Sequence, residues 1–288
     1  MWVVYAFSSA FFAALTTILA KLGVSKVDST VATALRTVVI LIFAWLVVFM
    51  VGSEAQIGTL STKTWLFLIL SGFATGASWL FYFKALQLGD VNKVTPVDKS
   101  SVVLTIVLAV LFLGESLGAA KVFGVLMIAA GTYLMLELKK GSTREAKNGN
   151  AWLLYAVLSA VFAALVAILG KIGIEGVESN LGTALRTVVV LLMSWSMVAV
   201  AGKKGADLMR VDKRSMTFII FSGVAAGLSW LCYFRALQEG PASVVVPIDK
   251  LSIVFTVLFS YFALHEKLSR KSSAGLVIIV AGTLLLLV

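Results

Sequence analysis

The sequence predicts an all-α integral membrane protein: ten transmembrane helices arranged as two inverted five-helix repeats. Three observations carry that expectation. Sixty per cent of the 288 residues are hydrophobic and only 13% are charged, with a mean hydropathy of +1.02. A soluble domain of this length needs far more polar surface. The apolar residues fall into ten runs, and the two halves of the chain repeat one another.

The runs are 2–20, 30–52, 64–86, 94–114 and 122–138, then 151–169, 181–202, 216–237, 244–264 and 272–288. Each can cross ~30 Å of hydrocarbon as a helix, whereas barrel strands would be about half as long and alternate in polarity. No basic segment precedes the first run, so it is expected to be a span and not a cleavable signal. The polar linker KKGSTREAKNGN at 139–150 separates a first unit, 1–138, from a second, 151–288. The single cysteine, Cys232, excludes an internal disulfide.

YAFSSAFFAALTTILAKLG at Tyr5 matches YAVLSAVFAALVAILGKIG at Tyr155, and the halves share 23 of 41 residues from Tyr5 to Trp45. SGFATGASWLFYFKALQLG at Ser71 matches SGVAAGLSWLCYFRALQEG at Ser222, and PVDKSS at Pro96 matches PIDKLS at Pro247. Five spans is an odd number, so the second half should enter the membrane from the opposite side. The loop charges agree. Of the 20 Lys and Arg outside the spans, 16 fall on the side of connectors 1–2, 3–4, 5–6, 7–8 and 9–10. Only Lys63, Lys121, Lys171 and Arg235 fall on the other. The basic side is expected to be cytoplasmic, which puts both termini outside. Charges so distributed account for the net +10 as a membrane rim, with no nucleic-acid surface.

The repeats, the Pro96 and Pro247 segments and the Gly114-Glu115 close of span 4 resemble the EamA domains of the drug/metabolite transporter superfamily. The resemblance covers the whole chain, one domain per half. It implies a ten-helix bundle in the cell membrane, of the bacterial inner-membrane kind. It also implies a central cavity and alternating access, commonly exporting amino acids, metabolites or drugs. Members of this size are usually drawn with cytoplasmic termini; the charges here say the reverse.

Candidate site residues are the ionisable and polar groups at membrane depth, where burial is costly. If span 2 began after Arg36, only 15 residues, 38–52, would remain, about 22 Å and too short to cross. Arg36 is therefore placed inside, and the same argument covers Asp98 with Lys99. Arg186, Asp249 and Lys250 repeat the pattern, the lysines being equally compatible with snorkelling to the headgroups. Span 3 adds Trp79 and Tyr82, with Phe83, at helical spacing, repeated as Trp230, Tyr233 and Phe234; such a face can grip a cation or simply pack. Gly72 and Gly76, with Gly223 and Gly227, read as close-packing positions. Pro96 and Pro247 are read as starting helices, and His265 as a loop residue.

The expected function is secondary transport of a small polar or amphipathic solute, amino-acid-like or otherwise anionic or zwitterionic, in the direction of efflux. Arg36 and Arg186 would bind a carboxylate or pair with Asp98 and Asp249 as gates, and Trp79, Tyr82, Trp230 and Tyr233 would wall the cavity. A proton-coupled multidrug or cation exporter is the alternative. It is weakened because spans 1 and 6 carry no acidic residue where the small multidrug-resistance family keeps its glutamate. A non-transporting assembly subunit and an integral membrane enzyme are alternatives from other classes. No phosphate loop, nucleophile motif or dinucleotide fingerprint is present, so no cofactor, metal or enzymatic activity is expected. The expected partners are a small-molecule substrate and the lipid bilayer; monomer and homodimer remain open.

Overall fold

The computed structural model describes residues 1–23, 27–88, 94, 97–98, 100–116, 118–135, 151–203, 211–264 and 270–286. Pro96, Lys99, His265 and the 139–150 linker lie outside the described residues. Regular structure among the described residues is entirely helical. In chain order the helices are α1 (Trp2–Gly23), α2 (Ser29–Val51), a 3-10 helix (Ser53–Thr59), α3 (Thr62–Leu88), α4 (Ser101–Leu113) and α5 (Ala119–Met135). They continue with α6 (Ala151–Gly173), α7 (Ser179–Val200), α8 (Lys213–Glu239), α9 (Ala242–Asp249), α10 (Ser252–Leu264) and α11 (Arg270–Leu285).

Local chemistry sets the helix ends. Asp28 accepts from the Thr30 and Val31 amides at the head of α2, Glu178 from the Leu181 amide at α7, and Asp212 from the Ser215 amide at α8. These carboxylates satisfy donors that have no partner within the helix. Gly52 ends α2 with φ +73°, a left-handed backbone that glycine adopts without cost.

Among the described residues, seven helical stretches are long and apolar enough to cross a membrane, and three further apolar helices are shorter. The ten runs thus do not all become uninterrupted full-length helices. Run 9 breaks into α9 and α10 at Lys250–Leu251. Pro247 lies inside α9 and not in its first turn, which corrects its reading as a helix start. A proline there makes no bond to the carbonyl four residues earlier, and the adjacent Asp249–Lys250 charges interrupt the apolar run.

Nearly all extensive packing joins the first half to the second. The pairs are α1 with α8, α3 with α6, α2 with α7, and α5 with α11, while α10 lies on α1 and α4 on α6. Exchanging the halves leaves this pairing pattern unchanged. Glycines set the closest approaches. A Cβ on Gly72 would stand 2.7 Å from the Arg186 carbonyl oxygen, and one on Gly223 would stand 2.6 Å from Val39 Cβ and 3.2 Å from the Arg36 carbonyl oxygen. The G-x-x-x-G pairs are therefore structural, as expected, and each presses α3 or α8 against the backbone of an arginine-bearing helix. The outward surface carries Phe49, Met50, Leu111, Phe112, Phe123 and Val277, an apolar exterior suited to lipid.

Candidate solute site

Helices α1, α3, α6, α7, α8 and α9 line a cavity of about 300 Å³ whose wall includes Trp79, Arg186, Trp230, Tyr233 and Asp249. Five of the eight expected site residues meet there. Phe234, Ser9, Thr75, Ser78, Ser229 and Lys250 complete the polar and aromatic lining. The two indoles lie with ring centroids 6.5 Å apart.

Arg186 is 2% exposed. Its Nη2 donates to Thr75 Oγ1 at 2.6 Å and its Nε to Ser71 Oγ at 3.3 Å. Its guanidinium carbon lies 4.3 Å from the Phe234 ring centroid and 5.4 Å from that of Trp230. Hydroxyls and ring faces together stabilise a charge that would otherwise be expensive at this depth. Asp249 Oδ1 accepts from Ser9 Oγ at 2.8 Å, and Ser229 Oγ donates to the Ser9 carbonyl at 3.1 Å. The other half repeats the arrangement: Asp98 Oδ1 accepts from Ser159 Oγ at 2.7 Å, and Ser78 Oγ donates to the Ser159 carbonyl at 3.2 Å.

The remaining three expected residues lie elsewhere. Tyr82 packs against a separate buried cluster of Ala85, Val94 and Ala156. Asp98 reaches the cavity wall only through Ser159 and Ser78. Arg36 lines a separate cleft with Thr17, Ser29, Thr33 and Ser222. The expected ion pairs Arg36–Asp98 and Arg186–Asp249 are not formed, because the aspartates are satisfied by serines and Arg186 by α3 hydroxyls.

One end of the bundle is tied together by a polar network. The Ala242 and Ser243 amides donate to Glu115 Oε1 and Oε2 at 2.6 and 2.9 Å. Lys171 Nζ lies 3.3 Å from Glu115 Oε1 and donates to the Gly240 carbonyl. Gln238 Nε2 donates to the carbonyls of Ile174 and Val177. Three connectors are thereby tied together.

The profile of the EamA-like transporter family matches this sequence twice, over residues 1–137 and 150–288. The chain belongs to the EamA-like transporter family. An uncharacterized transporter encoded in the cobO 3′ region of a Sinorhizobium species is 49% identical over 134 residues, 46% of this chain and 95% of that one; that relative is therefore about one repeat long. The uncharacterized transporter YxxF of Bacillus subtilis is 28% identical over 75% of this chain and 68% of its own. A solved structure superposes with a TM-score of 0.81 over 99% of this chain and 95% of the other, at 18% identity, a likeness of fold alone. Membership and the apolar helices make this a multi-pass membrane transporter.

In this EamA-like transporter the residues that sequence reasoning missed are mainly hydroxyls. Ser9 and Ser159 occupy the same repeat position, and Ser71 and Ser222 another; their identity in both halves was the available signal. Glu115 stood in the Gly-Glu pair without a partner to give it meaning. Burial raises its carboxyl affinity for protons, but the Ser243 and Ala242 donors and the Lys171 charge outweigh this and hold the group below its ordinary value. A depressed carboxylate stabilises the fold above the ordinary value of about 4.3 and loses that contribution as pH falls through the folded value. The melting temperature in detergent is therefore expected to fall below about pH 4 in the parent chain. Glu115→Gln should be less stable at neutral pH, by about 1.5–3 kcal/mol for a charge-assisted hydrogen bond, and should show a weaker acid-dependent fall.

Proposed function

We propose that the chain is a ten-span inverted-repeat transporter that exports a small zwitterionic, amino-acid-like solute by alternating access. The observation that carries this reading is the cavity wall on which Arg186, Asp249 and two indoles converge. A guanidinium matches a carboxylate as a planar fork, an aspartate attracts an ammonium, and Trp79 and Trp230 offer faces to an apolar side chain. About 300 Å³ suits a small solute. An exported cation with proton coupling is the second reading, favoured by Asp249 beside two indoles. Arg186 on the same wall weighs against it.

The charge distribution supports cytoplasmic placement of 139–150 and external termini, and reporter fusions at Met1 and Val288 check that orientation. On that orientation the Glu115 network lies outside and the Arg36 cleft inside. The transport reading is tested in liposomes by counterflow of labelled neutral amino acids against an organic-cation panel. Arg186→Gln and Asp249→Asn are each expected to lower zwitterion counterflow roughly 10- to 150-fold, the cost of one charge-assisted contact. Counterflow of cations alone, insensitive to Arg186→Gln, would establish the second reading.

A further inference from the structure

We propose that Arg36 forms a second carboxylate-binding site, in a cleft distinct from the cavity. The cleft holds about 320 Å³ and is lined by Thr17, Ala20, Ser29, Thr33, Arg36 and Ser222. That volume is within the range of small-molecule sites. The Arg36 guanidinium makes no hydrogen bond or ion pair with a described residue.

The other half explains why. Arg186, the repeat counterpart, uses its donors on Ser71 and Thr75 and lies under Phe234. Ser222 corresponds to Ser71, but Ala226 stands where Thr75 would be and brings no hydroxyl. Phe83, the counterpart of Phe234, borders a different pocket with Lys84, Gln87 and Met197. Among the described residues Arg36 therefore has no counterpart of the Thr75 hydroxyl and no counterpart of the Phe234 ring face. A half-buried guanidinium without an acceptor is unfavourable, and a bidentate carboxylate supplies what is missing. The carboxylate at the head of the same helix is committed elsewhere: Asp28 caps α2 and pairs with Lys203 at 2.8 Å. The Ser29 hydroxyl, at the mouth of the cleft, offers a further donor.

Position gives the site a use. On α1, Ser9 and Ala13 line the cavity and Thr17 and Ala20 the cleft; on α8, Ser229 lines the cavity and Ser222 the cleft. Seven residues of helix separate the two levels on α8, roughly 10 Å. A solute leaving the cavity along the α1–α8 seam would pass its carboxylate from Arg186 to Arg36.

Phenylglyoxal labelling of arginines in the purified full chain, read by peptide mass spectrometry, tests the site without turnover. It therefore stands or falls separately from counterflow. Benzoate serves as the carboxylate probe and choline as the control. In phosphatidylcholine vesicles Arg36 is expected to label while Arg186 does not, and benzoate, unlike choline, should slow Arg36 labelling several-fold. Equal labelling with and without benzoate overturns the proposal. Shielding by added phosphatidylglycerol, with benzoate ineffective in phosphatidylcholine alone, also overturns it and makes the cleft a lipid-headgroup site.

Discussion

Produced as two separate chains in one cell, residues 1–138 and 151–288 are expected to reassemble into an active transporter, while either half alone does not reach a stable fold. Within the first half the described helices barely touch: α4 meets α5, and α2 meets the 3-10 helix. The extensive pairs all cross between halves, α1 with α8, α3 with α6, α2 with α7 and α5 with α11. Each isolated span can still form its own helix in a bilayer, since its backbone bonds are internal. What it loses is the close glycine-mediated packing that drives association between helices. Gly124 against the Gly282 carbonyl and Gly131 against the Gly275 carbonyl, at 2.7 and 2.6 Å from the built Cβ positions, are contacts no single half can make. Co-purification through a tag on one half, followed by counterflow, measures the outcome. A monodisperse, protease-resistant 1–138 on its own would show that packing within the half suffices.

Gly170→Ala and Gly182→Ala are expected to loosen the end of the bundle held by Glu115. An added Cβ at Gly170 would lie 2.5 Å from Phe234 Cε1, and one at Gly182 would lie 2.6 Å from Ile174 Cγ2. Both neighbours belong to the closed packing, and Phe234 is 1% exposed. The repeat counterparts of these glycines are Ala20 and Ala32, which line the Arg36 cleft. There Thr17 and Ser29 are exposed, whereas their counterparts Ala167 and Ser179 are buried. Overpacking costs about 1–3 kcal/mol, enough to move the ratio of closed to open forms by roughly one to two powers of ten. In a Cys232→Ser background, Thr183→Cys should react faster with a soluble thiol reagent once either alanine is present. The reverse pair, Ala20→Gly with Ala32→Gly, should slow the reaction of Thr33→Cys. Unchanged rates in both directions would mean that the two methyl groups do not control closure.

Helical class and repeat were legible because both rest on runs of residues near one another in sequence. The site was legible in part. Arg186, Asp249 and the three aromatics of its wall stood out as polar or ring-bearing groups within apolar helices. Tyr82 was expected on the cavity wall because spacing puts it on the face of Trp79, yet it packs against the cluster of Ala85, Val94 and Ala156. The paired arginine and aspartate were expected to meet because opposite charges at equal depth usually do. Serines satisfy the aspartates instead, and a hydroxyl at Ser9 or Ser159 carries no signal strong enough to outrank a charge.

By itself the sequence determined the two repeats, the apolar character of the helices and the chemical types available at membrane depth. Periodicity, composition and duplication need no knowledge of neighbours. Only the tertiary structure decided which of each duplicated pair is engaged. Arg186 finds Ser71 and Thr75 across more than a hundred residues of chain, while Arg36 lines a cleft and has Ala226 at the repeat position of Thr75. The repeats differ there by the Thr75 hydroxyl and by the methyl groups of Ala20 and Ala32. Atoms so few acquire consequence only when the opposite half is packed within a few ångströms of them.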